Sequence, residues 1–289
     1  MLISIDGQLV PRAEARISVF DHGLLYGDGI FEGIRIYNRR IFRLDAHLAR
    51  LEASAHAIGL TLPMDRAALA EAVRATVRAN RQENGYIRLV VTRGEGPLGL
   101  DPTTCAWPCV IVIVAALAVY PAEHYASGIR VVTAATRQVP AASVDPRIKS
   151  LNYLKNVLAR LEAHEAGAAE ALMLNSEGFV AECTADNVFA VSGRRILTPP
   201  ASEGALDGIT GAVIRDLALA AGLAWEKRRL ARYDLFVADE CFLTGTGAEV
   251  IPMICLDGRR IGSGLPGQIT QSLSTAFREL AAHEGDPVF

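Results

Sequence analysis

Short apolar runs on either side of Asp6-Gly7 open the chain. That dipeptide turns a backbone through positive φ, so hairpin strands are predicted at 2–5 and 8–10. Residues 29–37 read as a further strand. Leu44, Leu48, Leu51, Ala55 and Ile58 then recur at helical spacing, with Asp45 near the start and Gly59 as a stop. Leu69, Val73 and Val77 mark a second helix after Pro63 and Asp65, and strands are predicted at 86–93 and 110–116. The stretch 119–128 loses periodicity and carries Pro121 and Gly128, which marks a linker. Beyond it come a strand at 129–134, a helix at about 153–166, strands at 170–174 and 187–191, and a helix near 211–221. Strands near 240–244 and 249–255 follow, then a last helix carrying Ile269, Leu273, Phe277 and Leu280. The order predicts an α/β (α+β) protein with an N-terminal domain at 1–118, a linker at 119–128 and a C-terminal domain at 129–289.

Composition narrows the class. Chains beyond roughly 250 residues usually divide into domains, and this one has 289. With 51% hydrophobic residues and a net charge of −3, disorder is excluded as the main state. A pI near 6.1 with dispersed arginines argues against nucleic acid as a partner. The apolar run from Val110 to Val119 is ten residues long, half of what a membrane span needs, so it reads as a buried strand. Met1 to Gly7 has no basic segment and reads as no signal peptide. Five cysteines without a CxxC pair do not resemble a disulfide scaffold, and a cytoplasmic protein without membrane attachment is expected.

Gly94-Glu95-Gly96-Pro97-Leu98-Gly99 matches a dinucleotide-binding pattern, but Pro97, Pro102 and Pro108 forbid the helix that pattern requires. The six histidines form no metal-ligand spacing, so no metal is expected. A different set points to an anionic cofactor. Lys149 stands in a polar turn before an amphipathic helix, and Glu182 is an acid wedged against apolar residues. Leu206-Asp207-Gly208-Ile209-Thr210-Gly211 is a helix-opening turn able to hold a phosphate, and Thr244-Gly245-Thr246-Gly247 is a second small-residue loop. Lysine, carboxylate, arginine and phosphate turns are the groups that pyridoxal 5'-phosphate needs, although each alone also reads as ordinary surface.

The order of these segments resembles the class IV (fold-type IV) pyridoxal-phosphate-dependent aminotransferases, and within them the branched-chain amino acid aminotransferases. The resemblance runs from Gly27-Asp28-Gly29-Ile30-Phe31-Glu32-Gly33-Ile34-Arg35 through Phe42-Arg43-Leu44, His47 to Leu51 and Tyr86-Ile87-Arg88. It continues through Lys149-Ser150-Leu151-Asn152-Tyr153, Glu182 to Phe189, Gly208-Ile209-Thr210 and Thr244-Gly245-Thr246. It implies a small N-terminal α/β domain, a larger C-terminal domain of α/β-barrel type, and a homodimer or larger homo-oligomer.

The resemblance also implies roles. Lys149 is the Schiff-base lysine and the base that moves the substrate proton. Glu182 pairs with the pyridinium nitrogen, and Tyr153 bonds the ring 3'-oxygen. Arg50, the Ile209 and Thr210 amides beside Gly208, and Thr246 hold the phosphate, and Leu206 packs on the ring. Tyr86, Arg88, Phe31, Tyr26 (from the partner subunit) and the turn at Gly245, Thr246 and Gly247 line the substrate pocket. The expected reaction exchanges an amino group between hydrophobic L-amino acids and 2-oxoglutarate. A D-amino acid transaminase is the alternative, because Lys-Ser-Leu-Asn-Tyr resembles that type, although the loop after Arg93 lacks its Arg-x-His. Aminodeoxychorismate lyase is a further alternative.

Overall fold

The structure is a computed structural model and describes residues 1–116 and 119–289. The predicted boundary at 118 lies outside the described residues. The chain forms two compact units: Met1–Leu117 with Ile148–Asn152 and Ala281–Phe289, and Ala118–Arg147 with Tyr153–Leu280.

The first unit contains strands β1 (Leu2–Ile5) and β2 (Gln8–Pro11), helix α1 (His22–Tyr26), strands β3 (Gly29–Tyr37) and β4 (Arg40–Ile41), helices α2 (Leu44–Ala57) and α3 (Arg66–Asn80), and strands β5 (Gly85–Thr92) and β6 (Cys109–Ala115). With the short strand Asp286–Pro287 at one edge they make an antiparallel sheet in the order Asp286–Pro287, β4, β3, β5, β6, β1, β2. Alternation decides its faces. Ile30, Ile34, Ile87, Leu89, Val91, Val112 and Val114 point to one side and bury against Leu44, Leu48 and Leu51 of α2 and Leu69, Val73 and Val77 of α3. Asp65 starts α3 by accepting the Ala68 N–H at 2.8 Å.

The segment around Lys149, assigned from sequence to the second domain, instead belongs to the first unit. It lies along the β3 edge that β5 leaves open: the Phe31 N–H donates to Lys149 O and the Leu151 N–H to Gly29 O, both at 3.0 Å. These bonds satisfy β3 backbone groups beyond the reach of the two-residue β4.

The second unit contains helix α4 (Ala122–Ser127), strand β7 (Ile129–Thr133), helix α5 (Leu154–Glu165), strands β8 (Glu170–Leu174), β9 (Val180–Cys183), β10 (Asn187–Ser192) and β11 (Arg195–Thr198), helix α6 (Ile209–Ala220), strand β12 (Ala224–Lys227), helix α7 (Arg232–Phe236), strands β13 (Glu240–Gly245), β14 (Glu249–Leu256) and β15 (Arg259–Arg260), and helix α8 (Gln268–His283) up to Leu280. Its nine-stranded sheet runs β12, β11, β10, β13, β14, β7, β8, β9, with β15 beside β14. The predicted linker thus contains a helix, α4, bounded by Pro121 and by Gly128 at φ 79°. Buried clusters among the described residues pack this unit. Val131, Leu172, Val188, Leu243, Ile251 and Met253 belong to the larger, and Ala159 and Ala163 of α5 meet Ala171 and Met173 of β8 in the smaller.

Candidate active site

In the first unit the site grows from the two faces of β3. Glu32 points toward α2 and is completely buried. His47 and Arg50, three residues apart on one face of α2, reach it together. Arg50 donates to Glu32 through Nε and Nη2, both at 2.8 Å, and His47 Nδ1 lies 2.7 Å from the same carboxylate. Burial opposes the Glu32 charge, but the hydrogen bonds from Arg50 and His47 prevail and bring its pKa down to about 2. The His47 contact has the form of an ion pair, yet burial outweighs Glu32 and lowers the imidazole pKa from its usual 6.5. His47 is therefore a neutral donor at pH 7, and Arg50 balances the Glu32 charge. One turn further along α2, Ser54 Oγ accepts the Lys149 N–H at 3.2 Å.

The opposite face of β3 presents Phe31, with Tyr86 and Arg88 alongside on β5. Lys149 Nζ lies 4.6 Å from the Phe31 ring centre and the Arg88 guanidinium 4.3 Å from it, 5.5 Å from that of Tyr86. Gly33 is required between them, because a side chain there would begin 2.0 Å from Tyr86 Oη. Lys149, Phe31, Tyr86 and Arg88 thus form one cluster, and Arg50 lies with Glu32 and His47 on the helix-covered side. Tyr26 is not part of either group: it ends α1, edge-on to His22, and its hydroxyl accepts the Gly99 N–H at 3.1 Å.

In the second unit Glu182 lies on β9. It accepts from Gln138 Nε2 at 3.0 Å and from the Leu206 N–H at 2.9 Å. Asn187 Nδ2 approaches it at 3.5 Å and donates to Leu206 O at 2.8 Å, so one amide ties β10, Glu182 and the turn before α6 together. Gly208 precedes α6, whose start has no side-chain cap. Thr244 Oγ1, near Gly211 in the first turn of α6, is buried without a hydrogen-bond partner. An uncapped helix start beside an orphaned hydroxyl matches the requirements of a phosphate group. Gly245 ends β13, Thr246 and Gly247 lie in the turn between β13 and β14, and Tyr153 directly precedes α5. Lys155, at the start of α5, has a pKa lowered by burial, with Glu182 opposing the shift.

A methyl group at Gly208 would lie 2.0 Å from Asn187 Oδ1. Gly208→Ala is expected to push Asn187 off Leu206 O and cost about 1–3 kcal/mol in denaturant unfolding. An unchanged midpoint would show that Asn187 yields freely.

Sequence reasoning gave no role to Glu32, His47, Gln138 or Asn187. Glu32 and His47 lie in segments that carry the family resemblance, and an acid in an otherwise apolar strand is a signal that a buried partner must exist. Gln138 and Asn187 carry no comparable signal, because their contacts depend on which strands become neighbours.

A lysine among an arginine and aromatic rings in the first unit, and a hydrogen-bonded carboxylate with an uncapped helix start in the second, are each groups of the kind that enzymes of a phosphorylated carbonyl cofactor use. Residues 29–254 match the family described as amino-transferase class IV, and the chain belongs to that family. A branched-chain-amino-acid aminotransferase of Pseudomonas aeruginosa is 38% identical over 286 residues, 97% of this chain and 93% of that protein. A D-alanine aminotransferase of Bacillus licheniformis is 36% identical over 284 residues, 96% of this chain and 96% of that protein. The crystal structure of the Escherichia coli branched-chain amino acid aminotransferase superposes with a TM-score of 0.96 at 30% identity, covering 100% of this chain and 99% of that one. The branched-chain amino acid aminotransferase of Thermobaculum terrenum, in its PLP-bound holo form, gives 0.87 at 30% identity, covering 97% and 94%. The fold is the mixed α/β, two-sheet architecture of these enzymes.

Proposed function

We propose that the chain is a pyridoxal-phosphate-dependent transaminase that moves an amino group between branched-chain or related hydrophobic L-amino acids and 2-oxoglutarate. The observation that carries the reading is Lys149 Nζ beside Phe31, with Arg88 on the same ring. This cluster combines an amine, an apolar surface and a cation for a carboxylate, the three features such a substrate exploits. Pyridoxal phosphate, when bound, supplies an electron sink for the substrate carbanion. Lys149 holds it covalently and, as a free amine, takes and returns the Cα proton. Arg50, oriented by Glu32, binds the phosphate together with the Gly208, Ile209 and Thr210 backbone and Thr246. Glu182, steadied by Gln138 and the Leu206 amide, keeps the ring nitrogen protonated. Tyr153 bonds the 3'-oxygen, and Leu206 covers the ring. Phe31, Tyr86 and Arg88 bind substrate with the turn at Gly245, Thr246 and Gly247, and Tyr26 serves the partner subunit's pocket.

A homodimer fits the exposed stripe Leu154, Val157, Leu158 and Leu161 on α5, an apolar face at helical spacing. Among the described residues the five cysteines are unpaired, which supports the reducing cytoplasm, and no helix is long and apolar enough to cross a membrane.

The D-alanine aminotransferase relative supports a second reading, a D-amino acid transaminase. A donor panel of L-leucine, L-valine, L-glutamate, D-alanine and D-glutamate against 2-oxoglutarate and pyruvate decides between them. L-Leucine and L-valine are expected to be used with 2-oxoglutarate and the D-donors at least about a hundredfold less well, ~3 kcal/mol in kcat/KM. A preference for D-alanine would overturn the first reading in favour of the second.

A further inference from the structure

Behind the turn that follows β13, the second unit buries a group that the proposed chemistry does not use. Glu170 on β8 and Asp186, just before β10, are 2% and 4% exposed, and both approach the hydroxyl of Tyr120, at 2.9 and 3.0 Å. A tyrosine hydroxyl has one proton and cannot donate to two carboxylates at once. Donor counting decides which acid receives it. Glu170 also accepts from Thr184 Oγ1 at 2.6 Å, the Ala171 N–H at 2.7 Å, Arg160 Nη1 at 2.8 Å and the Thr184 N–H at 3.3 Å. It is served as an anion on every side. Among the described residues Tyr120 is the one hydrogen-bond partner of the Asp186 carboxyl, so Tyr120 can give its proton to Glu170 only if Asp186 brings a proton of its own.

We infer that Asp186 is held as a neutral acid donating to Tyr120, and that in this form it positions the turn at 244–247 and leaves Glu182 as the ionised carboxylate of the β9 end. The second half of this inference rests on the role proposed for Glu182 and the turn. Gly245 packs its Cα directly on the acid, because a side chain there would begin 2.0 Å from Asp186 Oδ1. The charged and titratable groups facing Asp186 are Tyr120, Glu170 on β8, Arg160 on α5, and Glu182 and Cys183 on β9. Burial, then the Glu170 charge, push the Asp186 carboxyl up to about 7, with Glu182 adding to the shift and Tyr120 and Arg160 opposing it. Two neighbouring carboxylates with separated ionisation are the pattern by which a site keeps one acid neutral and the other charged. Asp186 therefore acts through Gly245 and Glu182 as a positioning residue.

The sign of its effect on stability follows. The folded protein retains a proton that the unfolded chain releases from the usual 3.8 upward, so Asp186 costs stability progressively as pH rises from about 4 to about 7. Thermal unfolding of wild type and Asp186→Asn, both as holoenzyme, tests this. The variant should gain on the wild type across that window, and the gap should be constant above it; a pH-independent difference would overturn the inference. The infrared spectrum of the wild type should contain a buried protonated carboxyl band at about pH 6 that fades by about pH 9. That measurement decides the matter even if Asp186→Asn fails to fold, since absence of the band contradicts a neutral acid. The kcat/KM profile of the wild type should show a step near pH 7 that Asp186→Asn lacks. Parallel profiles alongside a positive infrared and stability result would remove the link to Glu182 while leaving the neutral acid in place.

Discussion

Lys149→Ala is expected to lower transamination by about a thousandfold or more, ~4 kcal/mol of transition-state stabilisation, and to remove the visible absorption of the pyridoxal-phosphate-loaded protein. The side chain proposed to hold the cofactor and move the proton is deleted, and alanine offers no amine in its place. Folding should survive the change. Three hydrogen bonds of this segment are made by its backbone, through Lys149 O to Phe31, the Lys149 N–H to Ser54 and the Leu151 N–H to Gly29, and alanine retains all three. A thermal midpoint within a few degrees of wild type, with activity gone, is therefore the predicted pair of results. Turnover within tenfold of wild type, or a wild-type protein that stays colourless with pyridoxal phosphate, would remove Lys149 from the role proposed for it.

The second large effect is expected at a residue with no predicted contact to substrate. Glu32→Ala leaves the Arg50 guanidinium and the His47 donor facing the space the carboxylate filled. Breaking a buried, hydrogen-bonded charge pair from one side typically costs about 3–5 kcal/mol, and that is the loss expected in denaturant unfolding. Affinity for pyridoxal phosphate should fall by about tenfold or more, because Arg50 loses the fork that aims it. The stability gap should also depend on pH in a defined direction. Glu32 titrates at about 2 when folded and near its ordinary 4.5 when unfolded, so its stabilisation is complete above about 4.5 and disappears as pH falls toward 2. A gap that is unchanged between about pH 5 and 2.5 would contradict a buried, ionised Glu32. His47 adds a separate loss that begins below its usual 6.5, since the folded protein resists protonating it.

The sequence carried most of the elements and the order of the chemistry. Strand β3 and helix α2 were legible because each repeats its apolar positions at its own period, 2 for Ile30, Ile34 and Ile36 on one face and 3.6 for Leu44, Leu48 and Leu51. Lys149, Arg50 and Glu182 were legible as an ordered set. The short strands β4, β11 and β12 were not, because two to four residues offer too few repeats to establish a period. Helix α4, hidden in the predicted linker, is six residues long with no buried residue to mark a face.

What the sequence determined alone, then, is local periodicity and the order of the motifs that carry the family resemblance, since both are properties of neighbouring residues. Tertiary structure alone decided that the Lys149 segment joins the first unit, that Arg50 is aimed by Glu32, and that Asp186 meets Glu170 across Tyr120. Each of these rests on hydrogen bonds between separate elements: Glu32 and Arg50 are 18 positions apart, Tyr120 and Asp186 66, and the Lys149 N–H and Ser54 95. The physical reason is burial: a charge or hydroxyl removed from water must find its partner wherever the folded chain has placed one, and no local pattern encodes that address.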